Sequence, residues 1–349
     1  MGGRRAGRRA GDRTVTGAGT GRLAVVTGAS GFLGRAVVRE LMGRGYRVRT
    51  LQRRPSGVAG AQDHLGSVTD PGHVAAALAG ADAVVHLAAK VSLAGDPADF
   101  ERVNVGGTRT VLDAAASAGV RDVVHVSSPS VAHAGTSIVG DGAAPADPEA
   151  ARGDYARTKA AAELVALERD GADLRVVAVR PHVVWGPGDP QLVARVVARA
   201  RAGRLPLLGH GAALIDSTYV DNAASALAAA LEVVGEVHGR AYVVTNGEPR
   251  PVAELLAGIC LAHGVRPPRW RVPAALARGA GGAVEALWRV RPGVDEPPMT
   301  RFLAEQLSTA HWFDQRHTQA DLRWRPTVSI EEGLRRLAQA HARGGASGV

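Results

Sequence analysis

Lysine is nearly missing from this chain: 349 residues hold two, Lys90 and Lys159, among 42 basic positions that are otherwise arginine. The bias reads as a codon preference, and it makes each retained lysine informative, because arginine stays protonated while lysine is a compact charge with a tunable pKa. Cysteine occurs once, at Cys260, which excludes an internal disulfide and a cysteine-built metal site. That residue reads as a small buried apolar side chain, and a reducing, cytoplasmic setting fits. Aromatics make up only 4% of the chain. No stretch approaches the roughly 18 uninterrupted apolar residues of a membrane span. His86, His125, His133 and His182 sit near expected strand ends, and no pair has the spacing of metal ligands on one helix. No metal is expected, and the strand histidines read as packed and hydrogen-bonded.

Charge is unevenly spread. Residues 1–21 carry Arg4, Arg5, Arg8, Arg9 and Arg13 against Asp12, a net +4 of the chain's +9. This glycine- and arginine-rich tail has no apolar run and reads as disordered. Its paired arginines lack the apolar region of an export signal. A solvated tail is favoured over a nucleic-acid-binding arm, so no nucleic-acid partner is expected.

What is present is an alternation. Arg22–Thr27, Tyr46–Leu51, Ala83–Leu87, Asp122–Ser127 and Leu174–Arg180 are short apolar runs rich in β-branched residues. Between them Phe32–Arg44, Pro71–Leu78, Phe100–Ala118 and Tyr155–Glu168 read as helices. Continuous apolar strands alternating with helices imply an α/β fold with a doubly wound parallel sheet covered on both faces. After about Gly186 the pattern loosens. A turn cluster at 186–190 precedes a helix at Gln191–Ala202 and a strand at Leu205–Leu208; Asp221 then reads as a helix cap and Ala241–Thr245 as a strand. Beyond Pro249 the chain reads as mainly helical, with a proline-rich break at 292–298. The expected division is a cofactor domain at 22–186 and 214–245, with a smaller substrate-binding lobe at 187–213 and 246–349.

Thr27-Gly28-Ala29-Ser30-Gly31-Phe32-Leu33-Gly34 joins the first strand to the first helix. A tight strand-to-helix turn, close approach of a pyrophosphate and helix–strand packing each need a residue without Cβ. The N–H groups of the helix start, at Ser30, Phe32 and Leu33, then face the phosphates. The end of the second strand chooses between dinucleotides: an acidic residue there binds the ribose 2′-OH of NAD. Here Gln52-Arg53-Arg54 offers guanidiniums instead, so NADP(H) is expected over NAD(H), with Arg53 the favoured contact.

Tyr155 and Lys159 are four residues apart on an expected helix, so phenol and ammonium share a face. With four tyrosines and two lysines, such a pair arises by chance about 0.02 times in this chain.

The glycine loop, the Ser127-Ser128 strand end and the Tyr155/Lys159 pair together resemble the extended short-chain dehydrogenase/reductase family, from about Leu23 to Leu337. Within it, His86-Leu87-Ala88-Ala89-Lys90, Arg180 to Asp189, Ser217 to Asn222, Met299 to Phe302 and His311 to Asp314 resemble the 3β-hydroxysteroid dehydrogenase-like branch. The closest resemblance is to the 2-alkyl-3-oxoalkanoate reductases of bacterial olefin biosynthesis. The resemblance implies a Rossmann-type cofactor domain and a catalytic trio of Ser128, Tyr155 and Lys159. It places Ala88, Lys159, Pro181 and Val183 beside the cofactor, with Gly28, Gly31 and Gly34 in the loop, and implies a homodimer. Two positions depart from the family's habit: Gly66-Ser67-Val68 lacks the acidic residue that touches adenine, and Val131-Ala132-His133 replaces Val-Tyr-Gly.

The chemistry implied is transfer of a hydride to a ketone, with the proton from Tyr155. Lys159 would lower the phenol's pKa, and Ser128 would hydrogen-bond the substrate oxygen. Asn104 would either hold a water in a proton relay or satisfy the backbone. Lys90, at the carboxyl end of the fourth strand, is expected to pair with an anionic group such as the carboxylate of a 3-oxo acid, and His182 to touch substrate. The apolar stretch Val272–Val290 would cover a lipid-like substrate, rest on a membrane surface or form a lobe helix with one buried face; the last is favoured. The leading function is reduction of a 3-oxo group on a bulky apolar substrate, ahead of a sterol dehydrogenase, a nucleotide-sugar epimerase and a non-catalytic cofactor sensor.

Overall fold

A computed structural model describes residues 21–92, 95–133, 135–289, 305 and 307–346. Seven parallel strands form the central sheet: β1 (Leu23–Thr27), β2 (Arg47–Gln52), β3 (Gln62–Leu65), β4 (Ala83–His86), β5 (Asp122–Val126), β6 (Arg175–Pro181) and β7 (Ala241–Val244). Their order across the sheet is β7-β6-β5-β4-β1-β2-β3. β1 pairs in parallel with β2 on one side and β4 on the other, so the strand order reverses there and opens a crevice at the strands' carboxyl ends. β1, β4 and β5 bury every side chain, because helices cover both faces. Two apolar clusters, one containing Val26, Val37 and Leu227 and the other Val25, Val74 and Leu112, fill the two faces.

The helices form where the sequence supplies caps and apolar spacing. Pro71–Leu78 starts at Asp70, whose carboxylate accepts from the backbone N–H of Gly72 and His73, with proline in the first turn. The first helix, Phe32–Gly43, buries Ala36, Val37, Val38 and Leu41 on one face.

Several expectations are corrected. The single helix expected at 100–118 is three pieces: Pro97–Phe100, a π-helical turn Glu101–Gly106 and Gly107–Ser117. Asp221 is not a cap; the helix begins at Val220, and the Asp221 carboxylate inside its first turn pairs with Arg336 at 3.2 Å. β3 was not anticipated. It is a polar edge strand, Gln-Asp-His-Leu, whose side chains are at most half-buried, so it carries no apolar signature. The helical lobe also contains a four-stranded sheet, in the order 250–251, 214–215, 311–313, 138–141. Two of its strands, Leu214–Ile215 and Ile138–Asp141, come from stretches expected to belong to the cofactor domain. Cys260 is fully buried. Val272–Val290 contains the helix Ala274–Arg289, which packs Ala277 on Leu208 and exposes Leu276. No helix among the described residues is long and apolar enough to cross a membrane. The basic tail to residue 20, the proline-rich break at 292–298 and the Met299–Phe302 motif lie outside the described residues.

Candidate active site

The glycine loop sits at the reversal point of the strand order. Gly28 has φ +72°, and a Cβ there would meet the Ala88 Cα and N at 2.9 Å, so the loops after β1 and β4 touch backbone to backbone. A Cβ on Gly34 would stand 2.4 Å from the Gly28 carbonyl oxygen. These two glycines make the turn and the helix packing, as expected. At Gly31 a Cβ would approach the same oxygen at 3.2 Å and fill the mouth of the turn. The first helix has no side-chain cap at Gly31, so its leading N–H groups face the crevice. Such a cradle could hold the pyrophosphate of a dinucleotide.

Beneath the cradle a relay of hydrogen bonds fixes His86. The Thr27 hydroxyl accepts from the N–H of Leu87 and Ala88 at 3.1 and 3.0 Å, so its own proton goes to His86 Nδ1 at 2.7 Å. His86 Nε2–H then donates to the Thr108 hydroxyl at 3.1 Å, which donates to the Asn104 carbonyl at 2.6 Å. Burial lowers the His86 pKa to about 3, so this imidazole is neutral. The expectation of hydrogen-bonded strand histidines holds for His86. It fails for His125 and His133, whose ring nitrogens are buried without partners.

Asn104 serves the backbone. Its side-chain oxygen accepts from the Lys90 N–H at 2.7 Å, and its amide donates to the Thr158 hydroxyl at 3.0 Å. Thr158 lies between Tyr155 and Lys159, so Asn104 ties the loop after β4 to the helix Gly153–Glu168. The π-helical turn aims Asn104 inward, a use of such turns common at functional sites.

Ser128, Tyr155, His182 and Val183 come together in a cavity of about 250 Å3 beyond the carboxyl ends of β5 and β6. Ser128 starts the 3-10 turn Pro129–Ala132 and accepts from the Ser130 N–H at 3.3 Å. It therefore caps a turn and also faces the tyrosine. The Ser130 hydroxyl also donates to the Ser128 oxygen, at 2.9 Å. With its oxygen so occupied, Ser128 directs its own proton into the cavity on the side of Tyr155. Ser130 was not singled out in the sequence; the serine two residues on was its only signal. Ser127 is turned away, and its hydroxyl is buried without a partner.

The Tyr155 phenol is pushed above its ordinary pKa by burial, and the Ser128 hydroxyl facing it acts in the opposite direction. Lys159 is 4% exposed, and its ammonium donates to the Val126 carbonyl at 2.6 Å. Burial lowers its pKa to about 8, partly offset by Glu163. The lysine thus lies against the end of β5, one turn from the tyrosine, and the expected lowering of the phenol's pKa by Lys159 is replaced by a rise due to burial. Val183, a β-branched residue, is held at φ +43°, a strained conformation that here lines the cavity. Pro181 ends β6, and Ala88 abuts Gly28.

Lys90 is not among the cavity's lining. Its ammonium pairs with Asp99 at 3.1 Å and lies 4.8 Å from the center of the Phe100 ring. Arg53 and Arg54 are exposed just past β2. A carboxylate that the β2 end lacks is supplied by its neighbour strand: Asp63 accepts from Thr50, Gln52 and the Ser56 N–H at 2.7, 3.2 and 3.0 Å. Ser67 closes its own turn with Thr69 at 2.8 Å. Among the described residues no cluster of histidine, cysteine or carboxylate side chains could hold a metal ion.

Residues 24–245 match the model of the NAD dependent epimerase/dehydratase family. The chain is 41% identical to the 2-alkyl-3-oxoalkanoate reductase of Stenotrophomonas maltophilia, over 91% of this chain and 99% of that protein. It is 38% identical to the 2-alkyl-3-oxoalkanoate reductase of Shewanella oneidensis, covering 90% and 85%. Among solved structures, a double mutant of DesIV, the dTDP-glucose 4,6-dehydratase of Streptomyces venezuelae, with NAD bound superposes with a TM-score of 0.71 at 25% identity, covering 93% and 98%. The glycine cradle at the strand reversal and the serine–tyrosine cavity beside it thus belong to an NAD(P)-dependent dehydrogenase/reductase, and the chain is a member of the NAD dependent epimerase/dehydratase family, the extended short-chain dehydrogenase/reductases.

Proposed function

We propose that this protein uses NADPH to reduce the ketone of a 2-alkyl-3-oxo acid to a hydroxyl. The observation that carries the reading is the cavity itself. Ser128, Ser130 and Tyr155 meet at one end of a space whose other walls include Leu192, Ile215, Val252, Leu255 and Leu256 beside His133, His182 and His311. A volume of about 250 Å3 accommodates a reacting head group with the first carbons of its chains. The relatives named for 2-alkyl-3-oxoalkanoates support the substrate class.

The cofactor fits the glycine cradle, and when bound it supplies a hydride to the carbonyl carbon. Gly28, Gly31 and Gly34, with the N–H groups of Phe32 and Leu33, would hold its pyrophosphate. Lys159, Ala88, Pro181 and Val183 would flank the nicotinamide half. Ser128 donates a hydrogen bond to the ketone oxygen and stabilises charge developing there. Tyr155 delivers the proton. Its raised pKa keeps the phenol protonated at neutral pH, which is the form a reductase needs and the opposite of what an alcohol dehydrogenase needs. The exposed Arg53 and Arg54 support NADP over NAD, since Asp63 is already engaged by three donors.

The test is to supply the purified protein with NADPH and 2-alkyl-3-oxo acids, with NADP+ and sterols, and with NAD+ and UDP-sugars, following NAD(P)H absorbance for the first two and the epimeric product for the last. Turnover of the oxo acids alone is the expected result. Turnover of sterols or UDP-sugars without the oxo acids would overturn the reading.

A further inference from the structure

A charge held away from water is costly unless a partner of opposite sign meets it with good geometry. Arg180 and Glu163 are such a pair, each 1% exposed. Arg180 is the next-to-last residue of β6, and Glu163 lies in the helix Gly153–Glu168, one turn after Lys159. The guanidinium grips the carboxylate as a fork: Nε donates to Oε2 at 2.9 Å and Nη2 donates to Oε1. Neither residue belongs to the cavity's lining among the described residues. The pair is therefore placed to act on the site from behind.

Arg180 is itself fixed from three sides. Its own strand continues through Pro181 into His182 and Val183, which line the cavity. Its third arm, Nη1, donates to the Ala144 carbonyl at 2.7 Å, in the segment between the lobe strand Ile138–Asp141 and the helix of Tyr155. That segment is tied in turn to the turn that Ser128 begins, where the Asp147 N–H donates to the Val131 carbonyl at 2.9 Å. A planar fork anchored in this way fixes the place and plane of the Glu163 carboxylate.

The carboxylate lies on the lysine's face of the helix, four residues on. Burial drives Lys159 toward its neutral form, and Glu163 acts against burial. The groups on the neighbouring strands give Lys159 no such help. His86 on β4 and His125 on β5 are kept neutral by burial and by the ammonium itself. Tyr155, one turn back on the same helix, is held as the uncharged phenol. Glu163 is thus the described group whose charge keeps a proton on Lys159, and Arg180 keeps Glu163 in place.

We propose that Glu163 is a positioning residue for the reaction, the buried counter-ion of Lys159, and that Arg180 is its anchor. Neither meets substrate or cofactor; both act through the lysine. For catalysis the proposal rests on the reading of Lys159 as the cationic member of a reductase's trio.

The scarcity of lysine supplies the test. Protein labelled with carbon-13 at lysine Cε gives two NMR signals, from Lys90 and Lys159, and a Lys90→Arg variant assigns them. The full chain is titrated without cofactor, and the Lys159 midpoint should fall near 8. Glu163→Gln should lower that midpoint by at least one pH unit. Because this variant leaves the buried Arg180 cation unpaired, which destabilises the fold, the second variant is the double replacement Glu163→Leu with Arg180→Met. An apolar pair of similar size keeps the fold, and it should show the same fall. In NADPH oxidation with a 2-alkyl-3-oxo acid, the double variant should lose about fivefold in kcat relative to wild type at pH 8, where its lysine is about nine-tenths neutral instead of half. Most of that loss should be recovered at pH 6. A midpoint moved by less than half a pH unit in the folded variants overturns the proposal, and so does a loss of kcat that is equal at pH 6 and pH 8. A lowered midpoint in a protein whose wild type leaves the oxo acid untouched would instead overturn the reductase reading and leave the counter-ion standing.

Discussion

Replacing Ser130 by alanine should slow the enzyme only through Ser128. Ser130 is 7% exposed, and its hydroxyl donates to the Ser128 oxygen at 2.9 Å. That bond leaves the Ser128 proton pointing into the cavity. A neutral hydrogen bond of this kind contributes about 0.5–1.5 kcal/mol, which converts to a roughly 2- to 12-fold loss in kcat. Ser128→Ala removes the donor to the developing oxyanion itself and should cost about 100- to 1,000-fold. The pair makes a double-mutant cycle. If Ser130 acts only by orienting Ser128, the double variant should be no slower than Ser128→Ala, giving a coupling energy equal to the whole effect of Ser130→Ala. The readout is steady-state NADPH oxidation at saturating oxo acid, with KM followed to separate binding from turnover. Additive losses would refute the argument, since they would mean that Ser130 meets the substrate directly or that Ser128 does not.

Other consequences follow from the same geometry. Gly28→Ala puts a Cβ against Ala88 at 2.9 Å in a φ +72° backbone; it should lower Tm and weaken NADPH binding at least tenfold by fluorescence titration. Arg53→Ala should cut kcat/KM for NADPH about 10- to 150-fold, by loss of a charge-assisted bond worth about 1.5–3 kcal/mol, and leave NADH within twofold. Lys159 binds its proton less tightly folded, at about 8, than unfolded at its ordinary value of 10.5. The unfolded chain therefore holds more protons between these values, and stability contributed by this group rises with pH across that window. The rise is roughly 3 kcal/mol for the fully buried group. Urea unfolding at pH 8 and pH 10 should show about 2 kcal/mol of that rise in the wild type, and a Lys159→Met variant should lack it.

Much of this molecule is readable in the chain because its central strands are buried on both faces. A run such as Leu23–Thr27 has no solvent side, so its composition alone betrays it. The glycine loop is legible for a related reason: contacts at Gly28 and Gly34 forbid a Cβ. β3 is not legible, since an edge strand of Gln-Asp-His-Leu keeps its position through pairing with β2 and not through burial. The lobe sheet is hidden for another reason. Its strands are two to four residues long and come from segments as far apart as Ile138 and His311. That pairing also brings His133 to His311, which no local spacing could announce. The Tyr155/Lys159 pair shows both sides of the matter. Its helical face follows from spacing, but the direction of the phenol's pKa does not, because that depends on how deeply the surrounding chain buries it.

The central claim is tested most directly by NADPH oxidation with a 2-alkyl-3-oxo acid by the wild type and by Tyr155→Phe. The account predicts one NADPH consumed per oxo acid reduced. It also predicts a loss of about 100-fold or more in kcat for the variant, as expected for removal of a general acid, with NADPH affinity unchanged. A wild type that leaves the oxo acid untouched, or a variant that reduces it at an undiminished rate, would contradict it.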